Sequence, residues 1–172
     1  MRTPEAQVLL ADGTTVPLAS LYSQGPIALV FLRHFGCIFC RRFVSKLKRA
    51  TCLRIVLVGM ADPAETQRFA ATFGVKNTFI CDPSRELYRQ FGLERGRLSQ
   101  VVGPKVWKSA MGAARFGVGK VVGDPLQLSG AFIINTCGEV IWSKRAHAAG
   151  DDPTLPELCD ALLSAEMCCG ES

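Results

Sequence analysis

No apolar run in this 172-residue chain approaches the roughly 20 residues that a membrane-spanning helix requires. The longest, residues 27–32 and 55–58, are of strand length, which argues against a transmembrane protein and a membrane partner. Basic runs are equally absent. Twenty Lys and Arg against 15 Asp and Glu leave a formal charge of +5, scattered in ones and twos, so nucleic acid is not an expected partner. Glu5 and Asp12 interrupt any stretch that could serve as a signal h-region, and the expected compartment is the cytoplasm. No Ser/Gly/Pro linker and no repeat divides the sequence. With 48% apolar and 20% charged residues it reads as one domain, residues 1–172. Its core is expected at about 8–163, a loop or helical insertion at about 95–124, and a mobile tail at 164–172.

Cysteine is too sparse for a disulfide scaffold: eight in 172 residues falls below the roughly 8–10% that marks one. Cys52, Cys81, Cys137 and Cys159 are dispersed beside apolar or turn segments and read as small buried hydrophobes. Two pairs differ, Cys37 with Cys40 and Cys168 with Cys169.

The elements present are short strands alternating with helices. Apolar residues on either side of Asp12-Gly13 predict an N-terminal hairpin. Residues 27–32 and 53–59 read as two strands buried on both faces. Between them Cys40, Phe43, Val44 and Leu47 recur at helical spacing, predicting a helix that ends by about Arg49, and hence a parallel βαβ unit. Asp62-Pro63 opens a further helix that Gly74 stops, and Asp82-Pro83 through Gly92 repeats that start and stop after a strand at 78–81. Glycines 112, 117, 119 and 123 mark the insertion, where Val106, Ala110, Met111 and Ala114 fit a docked surface helix. Residues 131–135 and 139–143 flank Thr136-Cys137-Gly138 as an antiparallel hairpin, and an amphipathic helix at 155–163 follows a Thr154 cap. The sum is an α/β fold, a mixed sheet with helices on both faces.

In this setting C-x-x-C at Cys37 and Cys40 carries the chemistry. The first sulfur stands where a buried strand feeds a helix, so unpaired N–H groups and the positive end of the helix dipole favour its thiolate. Arg33, Arg41 and Arg42 add cationic charge, and His34 is placed to bond the thiol or relay its proton. Cys40, one turn along the same face, is within reach of a mixed disulfide or sulfenic acid on Cys37. Two other readings stay open at this point. The pair is either half of a zinc site completed by His34, His147 or Cys168-Cys169, or two structural thiols. His147 itself reads as a solvated or locally bonded side chain, and Cys168-Cys169 either shuttles oxidation from Cys37 or stands by.

Five motifs in order, F-L-R-H-F-G-C-I-F-C-R, G-M-A-D-P-A-E, C-D-P-S-R-E-L-Y-R-Q-F-G-L, G-D-P-L-Q-L-S-G-A-F-I-I-N and S-K-R-A-H-A-A-G-D-D-P, resemble the peroxiredoxin-like 2 group of the AhpC/TSA antioxidant proteins. The resemblance runs from about Val8 to Leu163. It implies a thioredoxin-like fold and a redox-active dithiol at Cys37 and Cys40, with no cofactor and no metal. The implied partners are a small-molecule or protein disulfide, or a peroxide, and a thiol reductant. His34, Phe35 and Gly36 stand where peroxiredoxins proper carry Pro and Thr ahead of the peroxidatic Cys, and Ser129-Gly130 precede Ala131 where relatives of the fold carry a cis-Pro or an Arg. Disulfide exchange is therefore expected to be favoured over peroxide reduction. A thioredoxin-fold binding module with an idle dithiol is the alternative.

Overall fold

The structure, a computed structural model, describes residues 1–47, 54–96 and 123–168, the last three by their backbone only. Strand β1 (Gln7–Leu10) pairs antiparallel with β2 (Thr15–Pro17) through the expected turn, in which Asp12 Oδ1 accepts from the Thr14 N–H at 2.9 Å and Gly13 takes a φ of 88°. A short helix α1 (Ala19–Tyr22) leads to the central strand β3 (Ile27–Phe31). After α2 (Ile38–Leu47) come β4 (Ile55–Gly59), α3 (Pro63–Phe73), β5 (Thr78–Cys81) and α4 (Glu86–Gln90). Strands β6 (Gly130–Ile134) and β7 (Val140–Arg145) and helix α5 (Leu155–Cys168) complete the described elements.

The seven strands form one mixed sheet in the order β2-β1-β5-β4-β3-β6-β7. The parallel pair expected for the βαβ unit is β3 on β4, in register from Ala28↔Ile55 to Phe31↔Val58, and β6 runs antiparallel on the other side of β3. With neighbours on both edges and apolar side chains on both faces, β3 is buried throughout. Its alternation divides the core. Ala28, Val30 and Leu32 face Phe39, Phe43 and Val44 of α2, Phe69 of α3 and Leu158 and Leu162 of α5, whereas Ile27, Leu29 and Phe31 face Tyr22 of α1, Tyr88 of α4 and Phe91. Each such side chain taken from water stabilises the fold by about 1.5–3 kcal/mol, so the mixed sheet is held from both sides. Among the described residues no helix is long and apolar enough to cross a membrane.

Local chemistry explains most boundaries. Asp62 accepts from the Glu65 N–H at 2.8 Å with Pro63 in the first turn, and Gly74, left-handed at φ 57°, closes α3. Thr154 and Glu157 form a capping box, the Glu157 carboxylate accepting from the Thr154 N–H at 2.7 Å, and α5 runs on past Leu163 to Cys168. The segment from Asp82 departs from the expected repeat of the α3 start. Pro83 and Ser84 make a turn, Arg85 is left-handed at φ 61°, and α4 begins only at Glu86. Asp82 still caps it from a distance, accepting from the N–H groups of Glu86 at 3.1 Å and Leu87 at 2.8 Å. Cys137 corrects a second expectation. It is exposed, because the β6–β7 turn places it at the tip, where Asn135 Oδ1 accepts from its N–H at 3.1 Å. Cys81 is buried as expected and Cys159 half-buried. The helix suggested within 105–115, the helix end expected by about Arg49, and Cys52 and Cys169 lie outside the described residues, as does the side chain of Cys168.

Candidate active site

The C-terminal ends of β3 and β4 are fastened before the chain leaves for the site. Tyr88, wholly buried, donates its hydroxyl to the Leu32 carbonyl at 2.6 Å and lies 3.1 Å from that of Val58. Beyond Leu32, residues 33–36 turn into α2. Phe35 anchors this turn by stacking on Phe69 with ring centres 4.0 Å apart, and a Cβ at Gly59 would come within 2.8 Å of its ring. The Cys37 N–H donates to the His34 carbonyl at 2.9 Å, and the Cys37 carbonyl accepts from the Arg41 N–H at 3.0 Å as the first acceptor of the helix. Cys37 therefore stands at the N-terminus of α2, with its sulfur among N–H groups whose dipoles favour an anion.

Cys37 and Cys40 are brought together. The Cys40 thiol and N–H both donate to the Cys37 sulfur, and the Cys40 thiol is the largest influence, bringing the Cys37 pKa down to about 7. Burial opposes this; Arg33 helps, with Nη1 3.5 Å from Cys37 Sγ. Cys40 moves the other way, held well above the ordinary thiol range by its bond to Cys37 and by burial, although its sulfur accepts from the Arg33 N–H at 3.2 Å. Cys37 keeps 5% of its surface exposed and Cys40 1%, so an incoming molecule meets the more acidic sulfur first.

Arg33 is a buried cation whose geometry is set by sequence-distant carbonyls. Its Nε donates to Gln127 O at 3.1 Å and its Nη2 to Pro125 O at 2.8 Å. Gln127 secures that segment by donating its side-chain amide to the carbonyls of Leu93, Glu94 and Leu128. Of the other groups expected to support the thiolate, Arg41 carries its guanidinium over the Phe73 ring, 5.0 Å from the centroid, and Arg42 lies over Phe39. His34 Nδ1 is buried with no hydrogen-bond partner among the described residues, and burial, then Arg33, lower its pKa to about 4, so at neutral pH the ring is uncharged. Among the described residues no three His, Cys, Asp or Glu side chains gather as a metal site; Cys169 and the Cys168 side chain, candidate partners for such a site, lie outside them.

One group near the thiols carries no role in the sequence reading. Asp152, between β7 and α5, accepts from Ser129 Oγ through Oδ1 at 2.6 Å, while its Oδ2 is sealed from solvent with no partner among the described residues. Burial pushes its carboxyl above the usual range, against the Ser129 bond and the charges of Arg33 and Arg42. Its charge in turn raises both thiols. Asp152 stands in the motif S-K-R-A-H-A-A-G-D-D-P, the one signal that could have singled it out.

The family model for the AhpC/TSA antioxidant enzymes matches residues 41–148, beginning directly after Cys40. Prostamide/prostaglandin F synthase from Danio rerio is 34% identical, the match covering 92% of this chain and 85% of the relative. Human peroxiredoxin-like 2C is 25% identical over 76% of this chain, which spans 65% of that relative's length. Among solved structures, peroxidoxin BcpB from Mycobacterium tuberculosis superimposes with a TM-score of 0.68 at 17% identity, covering 97% of this chain and 95% of that one. A mutant of peroxiredoxin 6 from Arenicola marina superimposes with a TM-score of 0.71 at 14% identity, covering 99% and 74%. The fold is thioredoxin-like, and the chain belongs to the AhpC/TSA antioxidant enzyme family, in its peroxiredoxin-like 2 group.

Proposed function

We propose that the chain is a thiol–disulfide oxidoreductase in which Cys37 attacks and Cys40 resolves. The observation that carries this reading is the asymmetry of the two thiols. With a pKa of about 7, about half of Cys37 is thiolate at neutral pH, against a few per cent for a free cysteine. In the first step the Cys37 thiolate attacks one sulfur of a low-molecular-weight or protein disulfide. The substrate S–S bond breaks, and one thiolate leaves with the electron pair. In the second step Cys40 loses its proton and attacks Cys37, forming the Cys37–Cys40 disulfide and releasing the other half of the substrate. The substrate gains two electrons, the dithiol loses two, and an external thiol reductant restores it. Arg33 in the β3–α2 turn is the group assigned to support the thiolate most directly, at 3.5 Å, with Arg41, over the Phe73 ring, and the uncharged His34 as the further groups assigned to that role.

A peroxide is open to the same attack, leaving a sulfenic acid on Cys37 that Cys40 condenses to the disulfide with loss of water. It demands more of the site, because charge developing on the leaving oxygen needs fixed donors in the transition state. Arg33 supplies some, whereas Phe35 and Gly36 ahead of Cys37 and Ser129-Gly130 ahead of Ala131 offer no Thr hydroxyl or Arg. Disulfides are thus the preferred substrates, and the cytoplasm, with its thiol reductants, is the expected setting. Stopped-flow reaction of the reduced protein with oxidised glutathione and with hydrogen peroxide tests this. Cys37→Ser is expected to abolish both reactions. Reaction with peroxide near the diffusion limit alongside a slow disulfide would overturn the stated preference, and unchanged reactivity of Cys37→Ser would overturn the mechanism.

A further inference from the structure

All 15 Asp and Glu of the chain lie outside residues 13–61, a stretch that holds seven of the 20 Lys and Arg together with Cys37 and Cys40. The rest of the chain is slightly acidic, so the net positive charge is concentrated in the segment that carries the dithiol. Lys48 and Arg49 lie outside the described residues, and Arg54 precedes β4 at the opposite end of the sheet. Arg33, Arg41, Arg42 and Lys46 remain, and α2 itself bears no carboxylate.

Helix geometry brings two of these charges back toward Cys37, because side chains on a helix lean over the turn that precedes them. Arg41, whose N–H donates to the Cys37 carbonyl, covers the turn that starts at Cys37. Arg42 lies over Phe39, its Cζ 5.7 Å from the ring centre. Aromatic packing fixes both. Arg41 rests on Phe73, Phe73 packs on Phe69 at 5.0 Å, and Phe69 stacks on Phe35 in the turn before Cys37. Phe39, under Arg42, approaches Gly150 so closely that a Cβ there would come within 3.1 Å of the ring. The two half-buried guanidiniums thus flank Cys37 from the side of α3 and from the side of the loop before α5, with Arg33 against the sulfur. Carboxylates offset little of this. Asp152 is withdrawn, one oxygen on the Ser129 hydroxyl and the other sealed from solvent, and Arg33 and Arg42 answer its charge. Asp151 takes the His147 N–H at 3.1 Å and lies 4.0 Å from Lys144.

Resting on the dithiol reading above, we infer that the substrate class is a small disulfide carrying carboxylates close to its sulfurs. Cys37 keeps 5% of its surface exposed, which suits a slender molecule better than the disulfide of a folded protein. A guanidinium seated on a ring is engaged by its face, and its in-plane N–H fork matches a carboxylate. The Cys37 thiolate bonds to one substrate sulfur, the S–S bond breaks, and the other half leaves as a thiolate with the electron pair. Cys40 then closes on Cys37 and releases the second half as a thiol. Each half leaves with its carboxylate, so negative charge grows beside Arg41 and Arg42 as the first bond breaks.

Three disulfides of similar size test this: dithiodipropionate with two carboxylates, bis(hydroxyethyl) disulfide without charge, and cystamine with two ammonium groups. Loss of the free Cys37 thiol at pH 7, read by quenched alkylation and mass spectrometry, gives each rate. Division by the rate of the same disulfide with mercaptoethanol removes the reactivity of the leaving thiol. The dicarboxylate is expected to exceed cystamine about tenfold at low salt, the low end of what a charged cleft contributes. The ratio should approach unity at about 1 M salt, where screening acts beyond about 3 Å. Arg41→Gln and Arg42→Gln should each lower the ratio of dicarboxylate to uncharged disulfide about two- to fivefold, the range of an exposed charge pair. That ratio cancels any change in the Cys37 thiolate itself. A corrected preference under about threefold at low salt, a preference that salt leaves intact, or ratios unchanged in both variants would overturn the inference. Failure of all three disulfides to oxidise Cys37 would instead overturn the dithiol reading. The salt series needs only the wild-type protein, so a variant that fails to fold does not spare the inference.

Discussion

Arg33→Met removes the buried cation beside Cys37 while keeping an unbranched side chain of similar reach. The guanidinium lies 3.5 Å from Cys37 Sγ with both partners buried, so the thiolate loses a charge-assisted hydrogen bond. Such a bond contributes about 1.5–3 kcal/mol, which at about 1.4 kcal/mol per unit is about one to two pKa units. The Cys37 pKa, now about 7, would rise to about 8–9, and the thiolate fraction at pH 7 would fall about five- to fiftyfold. Alkylation by iodoacetamide, followed at the Cys37 peptide by mass spectrometry from pH 5 to 10, reads the inflection directly. The two thiolate fractions should differ most midway between the two pKa values, at about pH 7.5–8, and converge above the variant's pKa. Stability follows with a definite sign. Cys37 is more acidic folded than unfolded, so its contribution is complete above the unfolded pKa and is lost as pH falls through about 7. The stability gap between wild type and Arg33→Met should therefore widen from pH 6 to pH 9, on top of a constant loss from the carbonyls of Pro125 and Gln127. An inflection that stays near 7 in the variant would refute the role given to Arg33.

Three further outcomes are expected. Cys40→Ser should trap a mixed disulfide on Cys37 after one equivalent of oxidised glutathione, visible as an adduct on the intact protein, and absence of the adduct would remove Cys40 as resolving thiol. His34 titrates at about 4 in the folded protein and near 6.5 unfolded, so the unfolded state binds the extra proton and stability should fall on acidification through that interval; His34→Leu should flatten this slope in urea melts at pH 7 and pH 5. Gly59→Ala places a methyl group against the Phe35 ring and should lower stability by about 1–3 kcal/mol through overpacking, with a slower Cys37 because Phe35 anchors its turn; unchanged melting and alkylation would show that the ring moves aside freely.

Much of this was legible because the signals are local. The buried strands β3 and β4, the Asp62 cap with Pro63, the Gly74 stop and the Asp12-Gly13 turn each depend on residues within a few positions, and all occur where the sequence places them. The start of α4 was not legible, since Asp82-Pro83 looks like Asp62-Pro63 and only the left-handed Arg85 sets them apart. The dithiol at the head of α2 follows from a strand-to-helix C-x-x-C. Its neighbours do not follow so simply. Arg33, Arg41 and Arg42 are indistinguishable by composition, yet Phe73 and Phe39 draw two of them onto aromatic rings while carbonyls of residues 125 and 127 hold the third beside the sulfur. Ser129 and Asp152 meet only because β6, β7 and the loop before α5 return the chain to the same place, a contact no local pattern encodes.

Disulfide mapping puts the two-thiol mechanism to its most direct test. The reduced protein is equilibrated with one equivalent of oxidised glutathione, blocked with alkylating agent, digested, and read by mass spectrometry. A linked peptide joining Cys37 to Cys40 should account for the oxidised protein, with Cys81, Cys137 and Cys159 recovered alkylated. Recovery of Cys37 and Cys40 as free alkylated thiols, or of Cys37 joined to a different cysteine, would contradict the assignment of these two residues as the redox pair.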